Sequence, residues 1–159
     1  MMSITTIQPS IYTDGGCSPN PGPGAWGYVV VSGDEILHQA WGGDLQTTNN
    51  RMELMGLIQA LHYVLQHPCQ ETYGIFMDSN LCVQTYNTWM AGWQARGWRR
   101  KSGAVENLDL IKELAQLKQQ NPAVEVKWVK AHAGIKWNDY VDQLVQDARA
   151  QLLQESASR

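Results

Sequence analysis

The 159-residue chain has no long apolar run, no cysteine framework and no surplus of positive charge, and each absence narrows what it can be. Its apolar stretches are short and interrupted, well below the roughly 20 residues of a membrane-spanning helix. The start MMSITTIQPS lacks the basic opening and apolar core of a signal peptide, so the expectation is a soluble, non-secreted protein with no membrane partner. Cys17, Cys69 and Cys82 are odd in number and form no CxxC or Cys/His ligand spacing. Neither a disulfide framework nor a structural zinc site is indicated, which fits a reducing cytoplasm. A net charge of −3 gives no global attraction to nucleic acid, so such a partner needs a local basic patch. Repeats and low-complexity segments are also missing. With 43% apolar residues the chain suits one domain, with a core over about 10–154 and a disordered tail ESASR at 155–159.

What is present begins with three strands. SIYTD (10–14) stops at GGCSPNPGPG, and WGYVVVS (26–32) passes through a Gly-Asp turn into EILHQAWGG (35–43) as a hairpin. A helix over about 50–66 ends at His67-Pro68, where proline cannot continue it. TYGIFMD (72–78) reads as a buried strand, NLCVQTYNTWM (80–90) as a helix, and WQARGWRRKSG (93–103) as irregular and basic. ENLDLIKELAQLKQQ (106–120) is helical, VEVKWVKAH (124–132) alternates as a strand, and a last helix runs from near Asn138 to about Gln154. This order implies an α/β protein with a mixed sheet and packed helices. A right-handed crossover through the 50–66 helix makes the first and fourth strands parallel, and if those strands are neighbours Asp14 and Asp78 sit side by side at their ends.

The stretch TTNNRMELMG carries an acid in an unusual place. At about 100° per residue, Arg51, Gln59, His62 and Gln66 form a polar stripe, while Glu53 points away from it toward the side of Leu57, Ala60, Leu61 and Val64. Taken singly, each acid has an ordinary role: Asp14 in a turn before Gly15-Gly16, Asp78-Ser79 as a helix cap, Glu53 in a capping box from Asn50. Taken together, three carboxylates converge at one sheet end, where like charges need a compensating cation. Oxygen donors without His or Cys select Mg²⁺ or Mn²⁺, which serve phosphate-ester chemistry. Two such ions about 3.5–4 Å apart activate a water and stabilise a leaving oxygen. The final helix adds Asp139, Asp142 and Asp147; Asp142 flanks its apolar stripe, whereas Asp147 lies nearly opposite Val145 and should be solvated.

YTDGGCSPNPGPGAWG, TTNNRMELMG, MDSN, the Trp-rich basic stretch and VKAHAGIKWNDYVD together resemble ribonuclease H of the bacterial type 1 class, in order over about residues 10–150. The resemblance implies the ribonuclease H-like fold, a mixed five-stranded sheet with helices on both faces, as a single domain. It implies metal-binding carboxylates at Asp14, Glu53, Asp78 and Asp142 and a mobile-loop histidine at His132. The activity implied is two-metal hydrolysis of the RNA strand of RNA–DNA hybrids, leaving 3′-hydroxyl and 5′-phosphate ends, with two Mg²⁺ ions, or Mn²⁺ as a substitute, in a cytoplasmic monomer. A loop histidine is usually only solvated; in this family's pattern it moves a proton at the reacting phosphate or helps product leave.

Arg96, Arg99, Arg100 and Lys101 place four of the 12 basic residues within a span of six, interleaved with Trp93 and Trp98 and preceded by Trp89. This matches the family's basic handle, with Trp89 and its partners packing the protrusion and the cations facing DNA phosphates. The resemblance also sets Asn20, Thr48 and Asn49 against the nucleic acid, and Asn80 where relatives usually carry Gln. RNA is selected through 2′-hydroxyl contacts near the metals. Gly103, Ala104 and Glu106 thin the handle's positive charge relative to familiar relatives, and IKWND replaces a common His-Pro after His132. Two other readings stay open: another metal-dependent nuclease or resolvase of the same fold, and a non-catalytic nucleic-acid-binding module with structural acids.

Overall fold

The structure is a computed structural model that describes residues 9–68 and 72–158. The N-terminal stretch 1–8 and Cys69 lie outside the described residues. Strands β1 (Ser10–Cys17), β2 (Gly22–Ser32) and β3 (Glu35–Thr47) come first, followed by α1 (Asn49–Gln66) and β4 (Gly74–Met77). Helix α2 (Asn80–Gln84) runs through a π-helical turn at Thr85–Trp89 into α3 (Met90–Ala95). A small ribbon, β5 (Arg99–Arg100) and β6 (Gly103–Ala104), leads to α4 (Leu108–Gln120), β7 (Glu125–Trp128) and α5 (Lys136–Ala157).

The main sheet has five strands in the order β3-β2-β1-β4-β7. The first three pair antiparallel, and β4 pairs parallel with both β1 and β7. Because β2 is covered on both faces, its YVVV run is apolar throughout rather than alternating. Tyr28 and Val30 join the core under α1 and α4, while Val29 and Val31 pack against Trp137 and Val141 of α5. Helices therefore lie on both faces of the mixed sheet, as the resemblance implies. Among the described residues, no helix is long and apolar enough to cross a membrane.

Several boundaries differ from the sequence reading. Strand β1 does not end at Asp14 but continues through Gly15 and Gly16 to Cys17, paired with Gly24–Gly27 of β2. Glycine disfavours strands intrinsically, and here the ladder overrides that preference. Residues 93–95 belong to α3, and part of the basic stretch forms the ribbon. Strand β7 stops at Trp128, with the Val129 amide giving one further bond to the Met77 carbonyl at 2.9 Å. Helix α5 carries residues 155–157 of the expected tail, where Gln151 donates to Glu155 one turn on. Thr48, not Asn50, caps α1: its hydroxyl oxygen accepts from the Arg51 amide at 3.2 Å.

Candidate active site

The last parallel pair between β1 and β4 is Tyr12–Phe76. Asp14 and Asp78 each lie two residues beyond it, so both chains deliver a carboxylate to the same end of the sheet. Two glycines bring the third acid there. A Cβ on Gly15 would sit 2.2 Å from the Met52 carbonyl carbon and 2.5 Å from the Glu53 nitrogen. A Cβ on Gly56 would sit 2.4 Å from Thr13 Oγ1 and 2.9 Å from the Asp14 carbonyl oxygen. Helix α1 thus lies directly on the backbone of β1, and its N-terminal half, with Glu53 facing inward, is pressed against the acidic end of the sheet.

Asp14 is 7% exposed, and its carboxyl is pushed up to about 8. Burial is the main cause, followed by the Asp78 charge; a hydrogen bond and charge from Asp142 add to it, against the Gly15 amide, which favours the ionised form. Glu53 is also raised, by burial and by Asp78, while the Ser79 hydroxyl stabilises its carboxylate. Ser79 has a second task, since its oxygen accepts from the Cys82 amide at 3.2 Å as the cap of α2. Asp78 receives the Nδ2 amide of Asn138 at 3.3 Å, and its carbonyl accepts from the Trp128 indole at 3.1 Å. Asp142, half-buried on α5, accepts from Gln146 at 3.1 Å.

The donor set is oxygen only, and the groups acting on Asp14 supply no positive side chain. A divalent cation provides the charge this cluster lacks, so the residues fit one. Among the described residues, no three His, Cys, Asp or Glu side chains are already closed into an ion-holding group. Mg²⁺ does not need such a cage, because it takes one or two protein carboxylates and completes its shell with water and substrate oxygens.

His132 sits on the loop after β7, exposed and with φ of 55°, followed by Gly134 at 79°. Asp139 and Asp147 are exposed, and Asp147 accepts from Gln143. Asn20 and Asn49 are joined: the Asn49 amide donates to Asn20 Oδ1 at 3.2 Å, and the Cys17 amide to Asn49 Oδ1 at 2.7 Å. With Thr48 they line a shallow concavity that also includes Glu106 and Asn107. Asn80 is exposed at the start of α2.

In the basic protrusion the three tryptophans are buried unequally. Trp89 is 41% exposed, whereas Trp93 and Trp98 pack against the core, with Lys112 over the Trp98 ring. Arg96, Arg99 and Lys101 are exposed, and Arg100 is paired with Glu106. Arg51 leaves the α1 surface to form a two-armed pair with Asp109, tying α1 to α4.

Sequence reasoning finds the capping role of Ser79 but misses Asn138 and the hydrogen bond between Ser79 and Glu53. The signal for Asn138 is its position four residues before Asp142, on one face of the same helix.

The RNase H family model matches residues 7–150. The chain is 43% identical over 148 residues to a ribonuclease H of Acidovorax sp. (strain JS42), covering 92% of this chain and 97% of that protein. It is 42% identical over 142 residues to a ribonuclease H of Chromobacterium violaceum, covering 88% and 93%. Among solved structures it is similar to LC9-RNase H1, a type 1 RNase H with the type 2 active-site motif, at 32% identity and a TM-score of 0.77, covering 94% of this chain and 75% of that one. It is similar at 26% identity and a TM-score of 0.71 to LC11-RNase H1 in complex with RNA/DNA hybrid, covering 92% and 99%.

Proposed function

The chain belongs to the ribonuclease H family, and from that premise we propose that it hydrolyses the RNA strand of RNA–DNA hybrids at a divalent-metal centre held by Asp14, Glu53, Asp78 and Asp142. One observation carries the assignment of the centre: a buried Asp14 whose carboxyl is pushed up to about 8, with Asp78 and Asp142 acting on it. A carboxyl so placed is poorly suited to a purely structural role and well suited to exchanging its proton for a cation.

Asp14, Glu53, Asp78 and Asp142 would hold two Mg²⁺ ions, replaceable by Mn²⁺, which when bound would activate a water and stabilise the leaving oxygen. The chain's own groups do the rest. Asn138 holds the Asp78 carboxylate, and Ser79 orients Glu53. His132, on its glycine-flexed loop, moves a proton at the reacting phosphate. The water oxygen bonds to phosphorus as the bond between phosphorus and the 3′ oxygen breaks, and the 3′ oxygen takes up a proton, leaving a 3′-hydroxyl and a 5′-phosphate. Asn20, Thr48, Asn49 and Asn80 meet the hybrid near the centre, and the protrusion of Trp89, Trp93, Arg96, Trp98, Arg99, Arg100 and Lys101 meets the DNA backbone farther away. We read the molecule as a single-domain cytoplasmic monomer.

The deciding experiment incubates labelled hybrid, double-stranded RNA and double-stranded DNA with the protein, with and without Mg²⁺. Metal-dependent cleavage confined to the RNA strand of the hybrid is expected. Cleavage of either homoduplex at a similar rate would refute the substrate assignment.

A further inference from the structure

The cations of the 96–101 stretch are not equivalent. Arg96, Arg99 and Lys101 are exposed, but Arg100 is held twice within the ribbon. Its Nε donates to the Ala104 carbonyl at 3.1 Å and its Nη2 to Glu106 Oε1 at 3.3 Å. Glu106, in turn, lines the concavity of Asn20, Thr48 and Asn49, and with Arg100 and Trp93 it lines a second, narrower cleft between α1 and the protrusion. One carboxylate therefore stands on both walls that the proposed function gives to the hybrid.

We propose that Glu106 sets the affinity of the nucleic-acid face by masking Arg100: while the pair is closed, the guanidinium is unavailable to a backbone phosphate, and the carboxylate keeps phosphate off the shared wall. The inference rests on the proposed hybrid-binding reading. Its physical basis is charge and exposure. The Arg100 side chain is 34% exposed and that of Glu106 71%, so the pair is screened, weak and readily opened. Opening does not remove the obstacle, because an ionised Glu106 remains beside the arriving phosphate and like charges repel. Glu106→Gln retains size and hydrogen-bonding capacity while removing the charge, which frees Arg100 for a phosphate.

The test is a hybrid-binding titration across salt in Ca²⁺, using the full chain, Glu106→Gln, Arg100→Ala and the double variant. Glu106→Gln should tighten binding by roughly three- to tenfold and steepen the salt dependence by about 0.7–0.9, the increment of one added phosphate contact. That gain should shrink when Arg100→Ala is compared with the double variant, because only the repulsion is then left to relieve and the added phosphate contact is lost. Equal affinity and parallel salt plots for parent and Glu106→Gln would overturn the inference. So would an undiminished gain in the Arg100→Ala background, since the carboxylate would then repel without masking anything. A parent that binds no hybrid at all overturns the proposed function and this inference with it; a parent that binds, with Glu106→Gln unchanged, overturns only the latter.

Discussion

Asn138 and Asp78, 60 residues apart in the chain, meet through the Asn138 Nδ2 amide and Asp78 Oδ2 at 3.3 Å. Asn138 is only 2% exposed, and its Oδ1 is buried without a hydrogen-bond partner among the described residues. A lone buried carbonyl of this kind costs about 1–3 kcal/mol. The side chain is thus a poor choice for stability and a good one for aiming a carboxylate. Asn138→Ala removes both the lost oxygen and the useful donor, so stability in EDTA should change by less than about 1 kcal/mol. Turnover should fall roughly 10- to 100-fold, as for other groups that orient a metal ligand. Thermal melts and steady-state kinetics on hybrid measure the two sides; a large loss of stability with normal turnover would assign Asn138 to the core instead.

Asp14 gives a dependence on pH whose sign is fixed. Its folded pKa of about 8 lies above the value near 3.9 of an unfolded aspartate. The folded chain therefore keeps a proton that the unfolded chain releases between those values. The associated stability is complete below about pH 4 and is lost as pH rises through about 8. Asp14→Asn cannot ionise, so in EDTA its advantage over the parent should grow with pH across this window, to the order of 1–3 kcal/mol. Its turnover should be nearly abolished, whereas Asp147→Asn, on the exposed face of α5, should be almost silent. A stability difference independent of pH would contradict a buried proton on Asp14, and substantial activity in Asp14→Asn would remove it from the centre.

Neighbouring glycines should respond very differently to a methyl group. At Gly15 the added carbon falls 2.2 Å from backbone of α1, which has no way to yield except by moving the helix. At Gly16 the nearest atom is Asn49 Oδ1 at 3.9 Å, an ordinary contact. Gly15→Ala should destabilise by about 1–3 kcal/mol or more and reduce turnover together with it, because the displaced helix carries Glu53. Gly16→Ala should retain both. Denaturant melts of the two variants side by side decide the matter, and similar behaviour would mean that α1 does not bear on β1 at Gly15.

The two glycines also mark the boundary of what a linear sequence reveals. The inward face of Glu53 is legible because a polar stripe through Arg51, Gln59, His62 and Gln66 leaves a helix only one other side. The parallel orientation of β1 and β4 is legible from the crossover between them, but their adjacency is found only in the folded sheet. Gly15 reads as a turn residue because local pattern cannot distinguish glycine that permits a bend from glycine that admits another backbone. The tryptophans escape the sequence for a similar reason: Trp89 ends a π-helical turn, Trp93 lies on α3 and Trp98 follows that helix with φ of 66°, so their exposure depends on local backbone that composition does not reveal. Asn138 carries a signal in its spacing to Asp142, but its partner Asp78 lies on another element and is found only through the fold.

His132 is exposed on a loop and is not among the four carboxylates proposed to hold the metal, so its loss leaves those ligands in place. His132→Ala should lower kcat on the order of 100-fold, the low end of the range of a general acid–base group, with little change in KM. Pre-steady-state and steady-state rates on hybrid separate proton transfer from product departure. Complete inactivation, or none, would contradict an accessory proton-moving role.

The protrusion should lose binding and not chemistry when its cations are removed. Arg99→Ala, Arg100→Ala and Lys101→Ala together should raise KM for hybrid with far less effect on kcat, because phosphate contacts bind substrate and transition state alike. Three free cations would each contribute about 0.9 to the salt dependence of binding to a B-like duplex, or roughly 2.7 in all. Arg100, however, is occupied by Glu106. The triple variant should therefore reduce the slope by only about 1.8, the contribution of Arg99 and Lys101, and by somewhat less on an A-like hybrid. Titrations in Ca²⁺ across salt measure this directly. A loss near 2.7 would show that Arg100 already engages phosphate in the parent, and no loss would move the DNA strand to another surface.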